Sequence, residues 1–163
     1  MMESKILDDL TNLRKALHRQ PEVAGEESAT SEKIMEYLEE FSPDRIADHI
    51  GGYGLIAEFK GKHPGPAVMF RCELDGLPIP EKSDLPYRSI YSGRGHLCGH
   101  DGHMAMVSGL AHYLKKERLE KGRVLLLFQP SEEDGRGAER MLKDPKFKDF
   151  EPDFIFAIHN LPG

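Results

Sequence analysis

A nearly unbroken apolar segment at residues 124–129, Val-Leu-Leu-Leu-Phe-Gln, constrains the fold of this chain most. A strand with apolar side chains on both faces needs cover on both faces, as a strand inside a parallel sheet has. Residues 67–74 and 154–158 predict buried strands of the same kind, and residues 55–60 predict another strand. The sequence therefore predicts an α/β fold, a doubly wound and mainly parallel sheet flanked by helices.

Segments with the periodicity of helices lie between and before these strands. Apolar residues recur at helical spacing over residues 3–19, and Pro21 ends that helix. Further helices are predicted at residues 26–41, 102–119 and 137–143. The segment 76–95 is rich in Pro, Ser and Gly and predicts a long loop, which inside a compact domain is usually functional or disordered.

Charge and composition exclude several classes of partner. The chain has 22 Lys and Arg against 28 Asp and Glu, a net charge of −6, which argues against nucleic acid and anionic membranes. No apolar run approaches the roughly 20 residues that span a bilayer, and the acidic N-terminus is not typical of a signal peptide. Because the two cysteines, Cys72 and Cys98, indicate no disulfide framework, we expect a cytoplasmic protein.

A dense cluster of potential metal ligands lies at residues 96–103, His-Leu-Cys-Gly-His-Asp-Gly-His. An adjacent carboxylate pair, Glu132 and Glu133, and an isolated histidine, His159, follow later in the chain. Thiolate, imidazole and carboxylate together suit a first-row divalent metal ion. Asp75, the glutamate pair and His159 each follow a predicted strand, and such sheets bind ligands beyond the carboxyl ends of their strands. The sequence therefore predicts a metal site at that edge.

Each of these residues also has a simpler interpretation. His159 alone would more often be a hydrogen-bonded loop histidine, Glu132 and Glu133 could favour a helix dipole, and Cys98 could be a small buried hydrophobe. Their joint occurrence favours a metal site, in which one glutamate binds metal while the other acts as a general base for hydrolysis. A hydrolase with Cys98 as nucleophile and a histidine as base is an alternative, but it leaves both glutamates and His159 without a role.

At these motifs the chain resembles a known family, the dinuclear metal-dependent amidohydrolases of the aminoacylase/carboxypeptidase superfamily. Within that family it looks like the branch that contains hippurate hydrolases, N-acetyldiaminopimelate deacetylases and plant auxin-conjugate hydrolases. The matching motifs occur in order at residues 17–22, 26–27, 71–79, 96–103, 128–133, 137–138 and 159–162. The resemblance implies a partial zinc-exopeptidase-like catalytic domain.

The resemblance also implies a role for each site residue. Cys98 would bridge two divalent metal ions, and the terminal ligands would be His100, Glu133 and His159. Glu132 would be the general base and acid, while Asp75 and Asp101 would orient the ligands. The metal could be zinc, manganese, cobalt or nickel, since all four suit such a mixed site. The implied reaction is hydrolysis of the amide bond of an N-acyl amino acid or a related small conjugate.

The chain departs from the family most in length. Related enzymes continue through a satellite dimerisation domain and then supply a final histidine ligand, so the resemblance implies that residues 1–163 are the N-terminal part of the catalytic domain. We therefore expect an exposed apolar sheet edge, and homo-oligomerisation is left open. Smaller departures are Glu73, Gly76 and Ser131, which stand where the family usually has Asp, Ala and Ala. The second hypothesis is an inert remnant that retains partial metal binding.

Overall fold

The structure, a computed structural model, describes residues 2–160. In chain order its elements are α1 (Met2–Arg19), α2 (Ser28–Glu39), β1 (Arg45–Ile50), β2 (Gly54–Lys60), β3 (His63–Glu73), α3 (His100–Lys116), β4 (Lys121–Gln129), α4 (Gly137–Lys143), a 3₁₀ helix (Pro145–Phe150) and β5 (Phe154–Ala157). Among these residues, none of the helices combines the length and apolarity needed to cross a lipid bilayer.

The five strands form one sheet in the order β1-β2-β4-β3-β5. Strand β3 pairs in parallel with both β4 and β5, and β2 pairs antiparallel with both β1 and β4. Four of the five strands therefore run in the same direction, and only β2 opposes them. This arrangement confirms the predicted α/β fold with a mainly parallel sheet.

Alternating side chains of the strands build one apolar core on each face of the sheet. In β2, Leu55, Ala57 and Phe59 face one core and Ile56 faces the other. Residues of α1, α2 and α3 complete the first core, and residues of α4 and the 3₁₀ helix complete the second. Because both faces of β4 are covered, its unbroken apolar sequence is explained.

The strands at the two ends of the sheet differ from the prediction. Strand β1 was not predicted, because its sequence Arg-Ile-Ala-Asp-His-Ile mixes charged and apolar residues and only Ile50 is buried. The apolar segment at β5 was predicted to be buried, and this is wrong: Phe154, Ile155 and Phe156 are 58%, 57% and 53% exposed. Within residues 2–160, β5 is paired on one side only, so little covers its side chains.

The loop 76–95 is held against the end of α1. Gly76 and Val23 form a parallel bridge, and Leu77 and Gly95 form an antiparallel bridge that closes the base of the loop. The Ile90 amide also donates to the carbonyl oxygen of Arg19 at 3.0 Å. This loop leads directly into Cys98, so its docking helps to fix the path of the chain into the candidate site.

Candidate metal centre

Three neighbouring parallel strands deliver polar side chains to the same edge of the sheet. Asp75 lies just beyond β3, Glu132 and Glu133 lie just beyond β4, and His159 lies just beyond β5. Helix α3 starts at this edge with His100, whereas the predicted helix began two residues later. The structure therefore brings together residues that are far apart in the sequence, as the strand-end argument predicts.

His100 lies at the centre of the cluster and is completely buried. Its Nδ1 is 2.7 Å from the backbone carbonyl oxygen of Asp75. Since a carbonyl oxygen can only accept a hydrogen bond, Nδ1 carries the proton and Nε2 presents its lone pair. That Nε2 atom is buried without a hydrogen-bond partner among the described residues. It lies 3.8 Å from Glu132 Oε2 and 3.9 Å from Glu133 Oε1.

Cys98 and His159 face each other across the same space. Cys98 Sγ lies 3.5 Å from His159 Nε2, while His159 Nδ1 lies 2.7 Å from the Asn160 carbonyl oxygen. The potential ligand atoms of Cys98, His100 and His159 all lie within 4.8 Å of one another. Burial and the neighbouring carboxylates, first that of Glu133, raise the pKa of the Cys98 thiol to about 11. A cation at this position would oppose that effect and favour the thiolate.

The two glutamates lie on a turn whose backbone is held by Asp75. The carboxylate of Asp75 accepts hydrogen bonds from the Glu132 amide at 3.1 Å and the Glu133 amide at 2.9 Å. Both glutamate side chains approach His100. Their environments differ, since the Glu132 side chain is 36% exposed and that of Glu133 is 19% exposed. Glu133 Oε1 is buried without a hydrogen-bond partner among residues 2–160.

These residues fit a divalent transition-metal site. Sulfur, nitrogen and oxygen donors converge, and the ligand atoms of His100, Glu132 and Glu133 form a second group within 4.8 Å. Two of these atoms, His100 Nε2 and Glu133 Oε1, are buried and lack any other partner in the described chain. Burying such atoms without a partner is costly, and coordination to a cation would remove the cost.

A third potential ligand group joins Glu73, which was not predicted as a ligand, to His100 and His103 of the predicted cluster. The ligand atoms of Glu73, His100 and His103 lie within 4.8 Å of one another. Glu73 already pairs with Arg71, and its Oε2 lies 2.9 Å from His103 Nδ1. The other ring nitrogen of His103 lies 2.6 Å from Asn160 Oδ1. The position of Glu73 near the end of the predicted strand 67–74 was the signal in the sequence that could have connected it with that cluster.

Asp101 contacts α1 instead of the ligand cluster. Its Oδ2 atom lies 2.9 Å from His18 Nδ1 and 3.1 Å from Arg14 Nε. The opposite nitrogen of His18 lies 3.1 Å from Glu81 Oε1 in the docked loop. Asp101 therefore connects the first turn of α3 to α1 and, through His18, to the loop 76–95. Any effect of Asp101 on the position of His100 passes through the backbone of α3.

Comparisons with known proteins agree with this fold. Residues 69–163 match the sequence profile of the family described as Peptidase family M20/M25/M40. The N-acetyldiaminopimelate deacetylase of Bacillus pumilus is 36% identical over 155 residues, which cover 95% of this chain and 41% of that protein. The N-acetylcysteine deacetylase of Bacillus subtilis is 39% identical over 154 residues, which cover 94% of this chain and 40% of that protein. The chain thus spans about two fifths of the length of these curated relatives.

Solved structures support the same assignment. A Bacillus subtilis protein described as a dinuclear metal binding peptidase from the M20 family superposes with a TM-score of 0.89 at 38% identity, over 98% of this chain and 44% of the other. A putative aminohydrolase from methicillin-resistant Staphylococcus aureus superposes with a TM-score of 0.86 at 28% identity, over 96% of this chain and 41% of the other. The fold therefore falls in the class of α/β metallopeptidase domains. The chain itself belongs to peptidase family M20/M25/M40.

Proposed function

We propose that this chain is the N-terminal part of the catalytic domain of a metal-dependent amidohydrolase that acts on small N-acyl amino acids. The observation that carries the proposal is the convergence of Cys98, His100 and His159 with Glu132 and Glu133 at one edge of the sheet. The deacetylases among its relatives are named for N-acetylated amino acids, which supports the substrate class. In this proposal a satellite dimerisation domain and the final histidine ligand belong to sequence outside residues 1–163.

The proposed site holds two divalent ions of zinc, manganese, cobalt or nickel, in keeping with a neighbour described as dinuclear. Cys98, His100, Glu133 and His159 would hold these ions. When bound, the ions polarise the substrate carbonyl and stabilise the negative charge that develops on its oxygen. The burial of Glu133 and its unpartnered Oε1 atom support its role as a ligand.

Glu132 is the general base in this proposal. Its side chain is the more exposed of the pair, so it can reach both a water molecule and a substrate in the open part of the site. Glu132 would take a proton from the attacking water and pass it to the nitrogen of the leaving amine. The Asp75 carboxylate accepts a hydrogen bond from the Glu132 amide and so restrains the backbone of the residue whose side chain would transfer the proton.

Within the family we place the chain in the branch of hippurate, N-acetyldiaminopimelate and auxin-conjugate hydrolases, whose named substrates share an acylated amino acid. We also propose a cytoplasmic location, supported by the free thiols of Cys72 and Cys98. The partners in this proposal are the small substrate and, through the satellite domain, a second copy of the enzyme.

Metal analysis and an assay on a panel of acyl-amino acids test the proposal together. In the complete protein that contains this chain, we expect two ions per subunit and hydrolysis that Glu132→Gln abolishes, while Glu117→Gln, at an exposed position just beyond the far end of α3, leaves it unchanged. One ion or none, with no turnover at any metal concentration, would instead support an inert remnant. Activity that survives a chelator but is lost in Cys98→Ser would support a cysteine nucleophile.

A further inference from the structure

Glu27 is a completely buried carboxylate outside the ligand cluster, and its contacts lead to the candidate site. Its Oε1 atom accepts hydrogen bonds from the Ser131 amide at 2.7 Å and the Gly25 amide at 2.9 Å, and lies 3.4 Å from the Ser131 hydroxyl. Its Oε2 atom has no hydrogen-bond partner among the described residues. Because burying a carboxylate is costly, the bonds made by Oε1 have to offset that cost.

The contact with Ser131 is not a by-product of helix capping. Glu27 immediately precedes α2, but its side chain makes no capping hydrogen bond to the start of that helix. Glu22 caps the helix instead, since its two carboxylate oxygens accept from the Ala29 amide at 3.3 Å and the Thr30 amide at 2.7 Å. The Glu27 side chain is therefore free to reach a residue 104 positions away.

Ser131 has a backbone conformation that needs support. Its φ angle is +51°, in the left-handed region that is unfavourable for a residue with a Cβ atom. From Ser131 onward, three consecutive amides are held by buried carboxylates: Ser131 by Glu27, and the next two by Asp75. The backbone of the turn sets the directions in which the Glu132 and Glu133 side chains leave the chain.

We propose that Glu27 is a positioning residue that holds Ser131 in its left-handed conformation and so directs Glu132 and Glu133 toward His100. The inference rests on the proposed function, because it assigns Glu27 to the preparation of the same site. Its action is by hydrogen bonding: the Oε1 acceptor fixes the start of the turn, and Asp75 fixes the two residues that follow. The unpartnered Oε2 atom takes no part in this role.

Two conservative variants distinguish the effect of the Glu27 hydrogen-bond acceptor from the effect of its negative charge. Glu27→Gln retains a carbonyl oxygen at the same reach, so it can preserve every hydrogen bond that Oε1 makes. Glu27→Asp retains the charge but is one methylene shorter, which withdraws the acceptor from the Ser131 amide. Glu26→Asp is the matched control, because Glu26 is adjacent, exposed and paired only with Arg94 in the described structure.

The first measurement is amide hydrogen exchange on the metal-free chain. We expect Glu27→Asp to speed exchange at the amides of Ser131, Glu132 and Glu133 while β4 stays protected, and Glu27→Gln to match the wild type. The second measurement is titration with Co²⁺, read from thiolate-to-cobalt absorption. We expect Glu27→Asp to weaken cobalt binding about tenfold or more, and Glu27→Gln and Glu26→Asp to stay within about threefold of the wild type.

Unchanged exchange at these three amides in Glu27→Asp overturns the positioning role, whatever the cobalt result. If Glu27→Asp fails to fold, Glu27→Gln decides alone, because faster exchange at the turn with the acceptor retained contradicts the inference. A wild-type chain that binds no cobalt contradicts the proposed function instead. The exchange data from the metal-free chain then still decide the role of Glu27.

Discussion

Cys98 is the residue whose chemistry separates this site from an ordinary acidic cleft. Its thiol faces His159, and burial together with the surrounding carboxylates raises its pKa to about 11. In the absence of a cation, the thiol is therefore protonated at neutral pH. In the proposed function, binding of a metal ion to the thiolate would release that proton, so the site would couple metal uptake to proton release.

Replacement of Cys98 gives the most direct residue-scale prediction. We expect Cys98→Ser to abolish the thiolate-to-cobalt absorption and to weaken cobalt binding at least about tenfold, because the proposed sulfur ligand is lost. The matched control is Cys72→Ala, since Cys72 is buried in β3 and its thiol contacts only the Leu127 carbonyl among the described hydrogen bonds. Equal cobalt spectra for both variants would contradict the assignment of Cys98.

His18 gives a second residue-scale prediction, through the pH dependence of stability. The hydrogen bond to Asp101, opposed by burial and aided by Glu81, raises the pKa of His18 above its usual 6.5. Burial acts to raise the pKa values of Asp101 and Glu81, but hydrogen bonds lower both, and the bond from His18 contributes in each case. The charged His18 therefore stabilises the fold fully below pH about 6.5 and loses this contribution as the pH rises through the raised pKa.

We expect His18→Gln to lower the free energy of unfolding by about 1–3 kcal/mol at pH 6 and by less at pH 9. Below pH about 4 the difference shrinks again, as Asp101 and Glu81 become protonated at their lowered pKa values. Urea denaturation at several pH values measures this. His63→Gln is the control at an exposed histidine, and a difference between wild type and His18→Gln that is independent of pH would contradict the charged network.

The residue types in the sequence pointed to the ligand cluster, but they did not point to the residues that hold its backbone in place. Cys98, His100 and His159 could be proposed from the sequence because potential ligands are dense at residues 96–103 and because His159 follows a predicted strand. Glu27 and Glu81 could not, since a glutamate in a charged sequence is most often exposed. Their roles depend on contacts with Ser131 and His18 across 104 and 63 residues, which no local pattern contains.

At the scale of elements, the turn between β4 and α4 is the most sterically constrained part of the site. A Cβ atom added at Gly137 would lie 1.6 Å from the Pro130 carbonyl oxygen, just before Ser131. We expect Gly137→Ala to destabilise the fold by about 2–4 kcal/mol, because backbone has to move to admit the methyl group. Urea denaturation measures the loss, and cobalt binding reports whether the glutamate turn has shifted.

Gly93→Ala is the control for this prediction, since a Cβ atom at Gly93 would meet no heavy atom within 4 Å. We expect that variant to stay within about 0.5 kcal/mol of the wild type. If Gly137→Ala were as stable as Gly93→Ala, the close approach of α4 to the turn would be wrong.

The pattern of apolar residues predicted the interior elements and failed at the sheet edges. Strand β4 could be predicted because both of its faces are buried, and its sequence shows that requirement directly. Strand β1 carries charged residues and has only one fully covered position, so its pattern resembles that of a loop. Strand β5 has the composition of an interior strand, yet composition cannot say which elements lie beside it.

At the scale of the whole molecule, β5 and the residue that follows it leave several apolar side chains exposed. Phe154, Ile155, Phe156 and Ile158 are all more than half exposed, on a strand that pairs only with β3 in the described chain. Exposed apolar edge strands favour pairing with other chains. We expect residues 1–163, expressed alone, to self-associate in a concentration-dependent way that sedimentation velocity can measure.

Ile155→Lys tests the surface responsible, because a lysine on an edge strand opposes strand pairing. We expect this variant to shift the distribution toward the monomer, whereas Leu142→Lys, at an equally exposed leucine on α4, leaves it unchanged. A wild-type chain that is a monodisperse monomer with a cooperative unfolding transition would contradict the prediction.

The position of β5 beside β3 also means that one proposed ligand, His159, joins the others late during synthesis. His159 follows Cys98 by 61 residues, so at about 5–20 residues per second the thiol is made roughly 3–12 seconds before its facing imidazole. The glutamate pair is made within that interval, and 26 residues separate Glu133 from His159, so for roughly 1–5 seconds Cys98, His100 and the two glutamates exist without His159. Metal delivered to the nascent chain in that time would meet a weaker and more exchangeable site, to which the docking of β5 would add His159.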